Sequence, residues 1–260
     1  MPLEQDIIFD DKAIKRLAKN YNTLDYYTKL QELLRSVCPS IQLETLSKYE
    51  LHKILNDILF SNYNGEEILK YKLCEQYWNK SNVIGAFEIN VNSSRLDFLA
   101  VNGTTTSFEI KSELDNLSKL KKQIKDYSAV FEYNNLVIAQ SHVNKVRAII
   151  PKGYGLWSYE NGKYKILDKA SRNTNIDPES QLKLFTKKEL SAAFPESSPN
   201  VGIVLKEQDS ESINKQFKRM LKDRYRSRWE FVTNNSQHIL PIDIQFFFQA
   251  NIDSHHVYVR

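Results

Sequence analysis

The stretch RLDFLAVNGTTTSFEIKSELDNL, residues 95–117, constrains the fold of this 260-residue chain more than any other. Asn102-Gly103 is a strong hairpin signal, and both flanking arms alternate as strands do. In the first arm Leu96, Phe98 and Ala100 share one face, with Arg95, Asp97 and Leu99 on the other. In the second arm Phe108 and Ile110 lie on one face, with Ser107, Glu109, Lys111 and Glu113 opposite. Loop length sets the pairing. A two-residue loop at Asn102-Gly103 would pair Asp97 with Phe108 and mix the faces. A three-residue loop, Asn102-Gly103-Thr104, pairs Asp97 with Glu109 and Arg95 with Lys111. Because a one-residue slip reverses every side chain, matching faces favour the longer loop. That register sets like charges opposite each other twice, at a cost of a few tenths to ~1 kcal/mol per pair. A divalent cation between the acids would relieve it.

Around this hairpin the hydrophobic period changes. Residues 11 to about 80 carry apolar residues at three-to-four spacing, in Ala13–Leu17, Leu24–Leu34, Leu51–Leu59 and Ile68–Tyr77, as helices do. Val83–Val91, Arg95–Val101 and Thr106–Ser112 then read as consecutive strands. A helix follows, capped by Asp115 or Asn116, with Leu117, Leu120, Ile124, Tyr127 and Phe131 as its apolar stripe. Asn134-Asn135 is expected to end it, and Leu136–Ala139 suits a buried strand beside the sheet. Further on, a strand, a turn at Asn161-Gly162 and a second strand are expected. A polar connection over 168–180, a helix over Gln181–Ala193, a break at PESSPN and a helix over Ile213–Trp229 come next. The segment from Phe231 onward has no clear period.

Composition is that of a soluble globular protein, with 41% hydrophobic and 26% charged residues. No run spans a membrane. The opening MPLEQDIIFDDKAIKRL has acids where an export signal carries basic residues, so a cytoplasmic location is expected. Cys38 and Cys74 lack metal-type spacing and read as reduced core thiols.

An acid on one strand and Glu-x-Lys on its neighbour have a chemical logic. Two carboxylates can hold Mg²⁺ through oxygen, and the lysine can orient a water or stabilise charge developing on a phosphate. Together, Asp97, Glu109-Ile110-Lys111 and the pair Gln123 and Tyr127 one helical turn apart resemble the PD-(D/E)xK nuclease superfamily over about residues 64 to 142. Leu96 stands where that name has proline. The longer pattern, R-x-D, then E-x-K, then Q-x-x-x-Y, looks like an uncharacterised bacterial family within it.

The resemblance implies an α/β fold with a restriction-endonuclease-like αβββαβ core and mixed sheet over 63–150. An N-terminal helical region (1–62) and an α+β region (151–260), either packed on the core or separate from it, flank it. It implies a Mg²⁺- or Mn²⁺-dependent enzyme hydrolysing DNA, in repair, restriction or mobile-element defence. Asp97 and Glu109 would be metal ligands, Lys111 the base or electrostatic stabiliser, and Gln123 and Tyr127 positioning groups. The first acid is Glu88, or alternatively Glu67. Glu88 shares the Asp97 face if the turn at 92–94 has a two-residue loop.

From Lys215 to Arg228 there are seven Lys/Arg and one acid, Asp223. Lys218, Lys222 and Arg226 are therefore candidates for nucleic-acid contact, with Lys119 and Lys122 beside the acids. DNA is the expected partner, and a homodimer or a partner protein is compatible with cutting two strands. The rival expectation is a nuclease-fold module that binds nucleic acid or a protein without cutting.

Overall fold

A computed structural model describes residues 9–160 and 163–259. They form two units, residues 9–71 with 231–259 and residues 72–230. The division expected at 62 and 150 is therefore redrawn. The C-terminal tail joins the N-terminal helices, and residues 151–230 belong with the sheet.

The chain opens with α1 (Asp11–Asn20), α2 (Tyr27–Val37) and α3 (Lys48–Asn62). A Ser47–Glu50 capping box starts α3, satisfying two of its orphan N–H groups. Leu17, Leu30, Leu34, Leu51, Leu55 and Leu59 meet in one core, as their spacing requires. Next comes α4 (Glu66–Trp78).

The sheet follows, with β1 (Ile84–Val91), β2 (Ser94–Val101) and β3 (Thr105–Lys111). A 3₁₀ turn at Leu117–Lys119 leads into α5 (Leu120–Ser128), then β4 (Tyr133–Ala139), α6 (Val143–Arg147), β5 (Gly155–Glu160) and β6 (Lys163–Asp168). Strand order is sequential. Pairs β1–β2, β2–β3 and β5–β6 are antiparallel, whereas β3–β4 and β4–β5 are parallel. The turn expected at Asn161-Gly162 lies outside the described residues.

Asn134 and Asn135 do not end the helix. They lie buried in β4, where Asn134 Oδ1 accepts from Ser107 Oγ at 2.7 Å and Asn135 Nδ2 donates to the Ser107 carbonyl at 3.2 Å. Partners on β3 thus override their preference for turns.

The helix expected over 181–193 is two pieces, α7 (Pro178–Leu182) and α8 (Lys187–Ala193). A second capping box, Thr186 with Glu189, restarts it. Beyond the break lie α9 (Val201–Glu207), which the sequence did not announce, and α10 (Ser210–Asn234). Ile213, Phe217, Leu221 and Trp229, spaced at multiples of four along the helix expected over Ile213–Trp229, are all buried. The tail forms a 3₁₀ turn at Pro241–Asp243, α11 (Ile244–Ala250) and α12 (Ser254–Tyr258).

Both sheet faces are covered. On one, Phe98 stacks among Phe87, Phe108 and Trp229, at 5.1, 6.1 and 6.2 Å between ring centroids. Trp229 lies so close over Gly85 that a Cβ there would come within 2.2 Å of its ring. Gly85→Ala is expected to cost about 2 kcal/mol through overpacking. An unchanged urea midpoint would show that the indole swings aside freely.

In the helical unit a buried carboxylate ties the tail down. Asp243 accepts from the Tyr21, Tyr258 and Thr23 hydroxyls at 2.9, 2.8 and 2.7 Å. His52 Nδ1 lies 2.8 Å from the same Tyr21 hydroxyl. Cys38 and Cys74 are reduced and buried. Among the described residues no helix is long and apolar enough to cross a membrane.

Candidate active site

The site begins with register. Val101 pairs with Thr105, leaving the three-residue loop Asn102–Thr104, and Gly103 takes a φ of +104° that a side chain would resist. The ladder runs to Phe98↔Phe108, so Asp97 and Glu109 stand at the next opposed position. There the Asp97 carboxylate replaces a ladder bond by accepting from the Ile110 N–H at 2.7 Å. On the other side Val91 pairs with Ser94 across the two-residue turn Asn92-Ser93. Glu88 therefore falls opposite Asp97, on its face.

Glu88 does not pair with Asp97 in the ladder, which resumes at Ile89↔Leu96. Its φ is +56°, a left-handed conformation for a residue with a Cβ, which costs on the order of 1 kcal/mol. A carboxylate oxygen of Glu88 and one of Asp97 lie within 4.8 Å of each other.

The opposition of like charges is relieved by the protein itself. Arg95 ion-pairs with Glu88, and Lys111 ion-pairs with Glu109. Arg95 reaches Glu88 diagonally across β1 and β2, and Lys111 reaches Glu109 two residues back on its own strand, so the register by itself does not require a cation.

Glu109 is 2% exposed, Asp97 6% and Lys111 8%, so the three charges are held away from water. The stripe of α5 packs on this face with Leu120, Ile124 and Tyr127 buried. One turn apart, Gln123 and Tyr127 both reach Glu109. Gln123 Nε2 donates to Oε1, and the Tyr127 hydroxyl donates to Oε2 at 2.9 Å. Burial first, then the Glu109 charge, pushes the Tyr127 hydroxyl far above the usual tyrosine range, so it stays a donor. Gln123 Oε1 is shielded from solvent and has no partner among the described residues.

The relative position of β3 and β4 is set by a reciprocal pair. Thr105 N–H donates to Glu132 Oε2 and Glu132 N–H donates to Thr105 Oγ, each at 2.9 Å. Burial would raise the Glu132 carboxyl. The Thr105 N–H, Lys218, Asn214 and Arg172 outweigh it and hold the group below its ordinary value.

The candidate basic residues divide. Lys119 and Lys122 are exposed beside the site. Lys122 Nζ donates to the Ser93 carbonyl at 2.8 Å, bracing the β1–β2 turn. Lys218 is not a solvent-facing contact, because the fully buried Glu132 draws its ammonium inward to 3.4 Å. Lys222 is half-buried, and Arg226 is exposed at 3.7 Å from Glu230. Of the acids on α4, Glu67 is exposed, whereas Glu66 is half-buried and ion-paired with Lys70. Asp115 caps no helix. It accepts from the Ser112 N–H and hydroxyl, each at 2.6 Å, while Asn116 caps the 3₁₀ turn. Glu132, Arg172 and Asn214 were invisible in the sequence, since no local pattern joins them.

Fold and site together define a mixed α/β protein with carboxylates and a lysine gathered on one sheet face. The chain belongs to the bacteriophage P4 protein cII family, whose model matches residues 61–247. A curated relative, Protein cII of Enterobacteria phage P4, is 27% identical over 134 residues, covering 48% of this chain and 51% of that protein. The chain thus spans about half the length of the curated relative it matches. Among solved structures, SPO1766, a protein of unknown function from Silicibacter pomeroyi, aligns at a TM-score of 0.35 and 14% identity. That alignment covers 49% of this chain and 90% of that one, and it bears on neither fold nor function.

Proposed function

We propose that this chain is a metal-dependent nuclease that hydrolyses phosphodiester bonds of DNA. One observation carries the reading: Asp97, Glu109, Lys111, Gln123 and Tyr127, spread over two strands and a helix, converge on one face of the sheet. The order α4–β1–β2–β3–α5–β4, antiparallel then parallel, supports a restriction-endonuclease-like core.

The donor set suits a hard cation. Glu88, Asp97 and Glu109 offer only carboxylate oxygens, and the first two come close enough to share one ion. Glu88 and Asp97 would hold Mg²⁺ or Mn²⁺, with Glu109 beside them. Once bound, the ion would supply a water of lowered pKa and neutralise charge on the phosphate.

This chain's own side chains do the rest. Lys111, beside Glu109, would donate to a phosphate oxygen. Gln123 and Tyr127 lock the Glu109 rotamer, and Gln123 Oε1 is left to accept from a water. Lys119 and Lys122 would take the adjoining backbone phosphates. Two copies of the chain would be needed to cut both strands of a duplex.

A second reading, a nuclease-fold module that binds without cutting, has one observation in its favour. Both Glu109 oxygens are occupied by the protein's own donors, and Arg95 sits on Glu88. Incubation of plasmid and single-stranded DNA with Mg²⁺ or Mn²⁺ separates the two. The parent should cut, and Asp97→Asn, folded by circular dichroism, should be slower by about 10²-fold or more. Absence of cleavage by the parent, with no heat of Mn²⁺ binding, would favour the silent module.

A further inference from the structure

A second pocket of the sheet unit lies at the other end of α5 and belongs to none of the chemistry above. Its volume is about 470 Å³, and its lining includes Lys125, Lys152, Arg172, Asn134, Tyr154 and Thr174. Three cations line it and no Asp or Glu does, although the whole chain has nearly as many acids (32) as Lys and Arg (36). Neither Lys125 nor Lys152 has an ion-pair partner among the described residues. Arg172 spends one nitrogen on Glu132 at 3.0 Å, and its side chain is otherwise 63% exposed.

The pocket is built rather than incidental. One wall is the irregular segment 169–177, held by three backbone bonds. Ser171 N–H donates to the Gly153 carbonyl, Asn173 N–H to that of Glu132, and Asp177 N–H to that of Ala129, at 2.9, 2.7 and 2.8 Å. Gly153 has a φ of +93°, and a Cβ there would approach Ser171 Oγ to 2.7 Å, so the close fit of this wall depends on glycine. Tyr154 is buried beneath.

Its place relative to the acids follows from register. Asn134 pairs with Ser107 and Leu136 with Glu109, two residues further along β4, a separation of about 7 Å at 3.3 Å per residue. Because β3 and β4 are parallel, α5 runs back along the sheet between them. Lys119 stands at the Lys111 end, and Lys125 stands at the pocket. Lys119, Lys121, Lys122 and Lys125 are all exposed along the way. About 7 Å corresponds to roughly two nucleotides of a stacked strand at 3.4 Å each.

We propose that this pocket is a second phosphate-binding site, gripping the backbone of a nucleic-acid strand about two nucleotides from the acidic cluster. The assignment of a strand rests on the nuclease reading. The affinity for phosphate rests on the pocket alone.

The test compares two double variants of equal charge change, Lys125→Glu with Lys152→Glu in the pocket, and the exposed Lys187→Glu with Lys206→Glu outside it. Binding of a short labelled oligothymidylate is followed by anisotropy in EDTA over a range of salt. The pocket variant should bind at least about tenfold more weakly, with a salt slope shallower by about two, and the control by less than about twofold. Equal losses in both variants, or none in the pocket variant, would overturn the proposal. Calorimetry with pyrophosphate probes the other source of phosphate. Pyrophosphate binding lost in the pocket variant while oligothymidylate affinity is untouched assigns the pocket to a small ligand and overturns the strand. Cleavage is not read here, so a parent that grips oligothymidylate at the pocket yet cuts nothing would sink the nuclease reading alone.

Discussion

Lys111→Ala is expected to lose about 3 kcal/mol of stability, because it strands a buried charge. Glu109, 2% exposed, would keep Gln123 and Tyr127 as donors but lose its cation. Removing one member of a buried pair is costlier than replacing both. Lys111→Met combined with Glu109→Leu should therefore recover much of the loss. Urea midpoints of the parent, both single variants and the double close the cycle. A Lys111→Ala protein within about 0.5 kcal/mol of the parent would show that the pair opens readily to water. Under the nuclease proposal the double variant, though stable, should cut no faster than Asp97→Asn. Stability and activity then separate, which a purely structural ion pair would not produce.

Acid should weaken the helical unit in a window that His52 defines. Its imidazole is fully buried. Burial first, then the nearby Lys48 ammonium, pulls its pKa from 6.5 down to about 4. Among the described residues Nε2 has no hydrogen-bond partner, so a proton placed there would find no acceptor among them. The unfolded chain takes up that proton near 6.5 and the folded one only near 4. The neutral ring thus contributes stability that is fully present above 6.5 and is lost as pH falls toward 4. The depression corresponds to about 3 kcal/mol.

Asp243 works against this trend. Burial raises its pKa despite four hydrogen-bonding neighbours, so its own contribution shrinks as pH rises through the raised value. Glu189 acts lower still. Arg224 and Thr186 overcome its burial and hold it at about 2, so its support of the sheet unit fades only below 4.5. The protein offers a convenient optical separation. Trp78, Trp157 and Trp229 all lie in residues 72–230. Between pH 6.5 and 4 the unfolding midpoint by far-ultraviolet circular dichroism should drop more than that by tryptophan fluorescence. His52→Phe should remove the difference. Parallel decline in both signals would rule out His52 as its source.

Much of the candidate site could be read from residues near one another in the chain. Asn102-Gly103-Thr104 and the alternation on either side were enough to place Asp97 opposite Glu109, since a hairpin's register is set within its own loop. The fate of Glu88 depended on one residue of turn length, which the sequence left open and the pairing of Val91 with Ser94 decided. Gln123 and Tyr127 shared a helical face by spacing alone. What they touch did not follow from spacing, because Glu109 reaches them only after α5 folds back over the sheet.

The errors have one cause. Asn134 and Asn135 have the residue types of a helix end but sit inside β4, because Ser107 on β3 satisfies their side chains. Lys218 lies on what reads as a solvated basic face, yet Glu132, far off in sequence, draws it in. The like charges of the hairpin, which seemed to call for an ion between them, are neutralised by Arg95 on Glu88 across the strands and by Lys111 on Glu109 along its own strand.

Periodicity and loop length act over a few residues and were enough for the helices before the sheet, the three-stranded meander and the face on which the charges lie. Which charge pairs with which, how the tail joins the N-terminal helices through Asp243, and where Lys125, Lys152 and Arg172 gather are decided by contacts between distant segments. A buried carboxylate must find donors wherever the fold brings them, and no local pattern records where that will be.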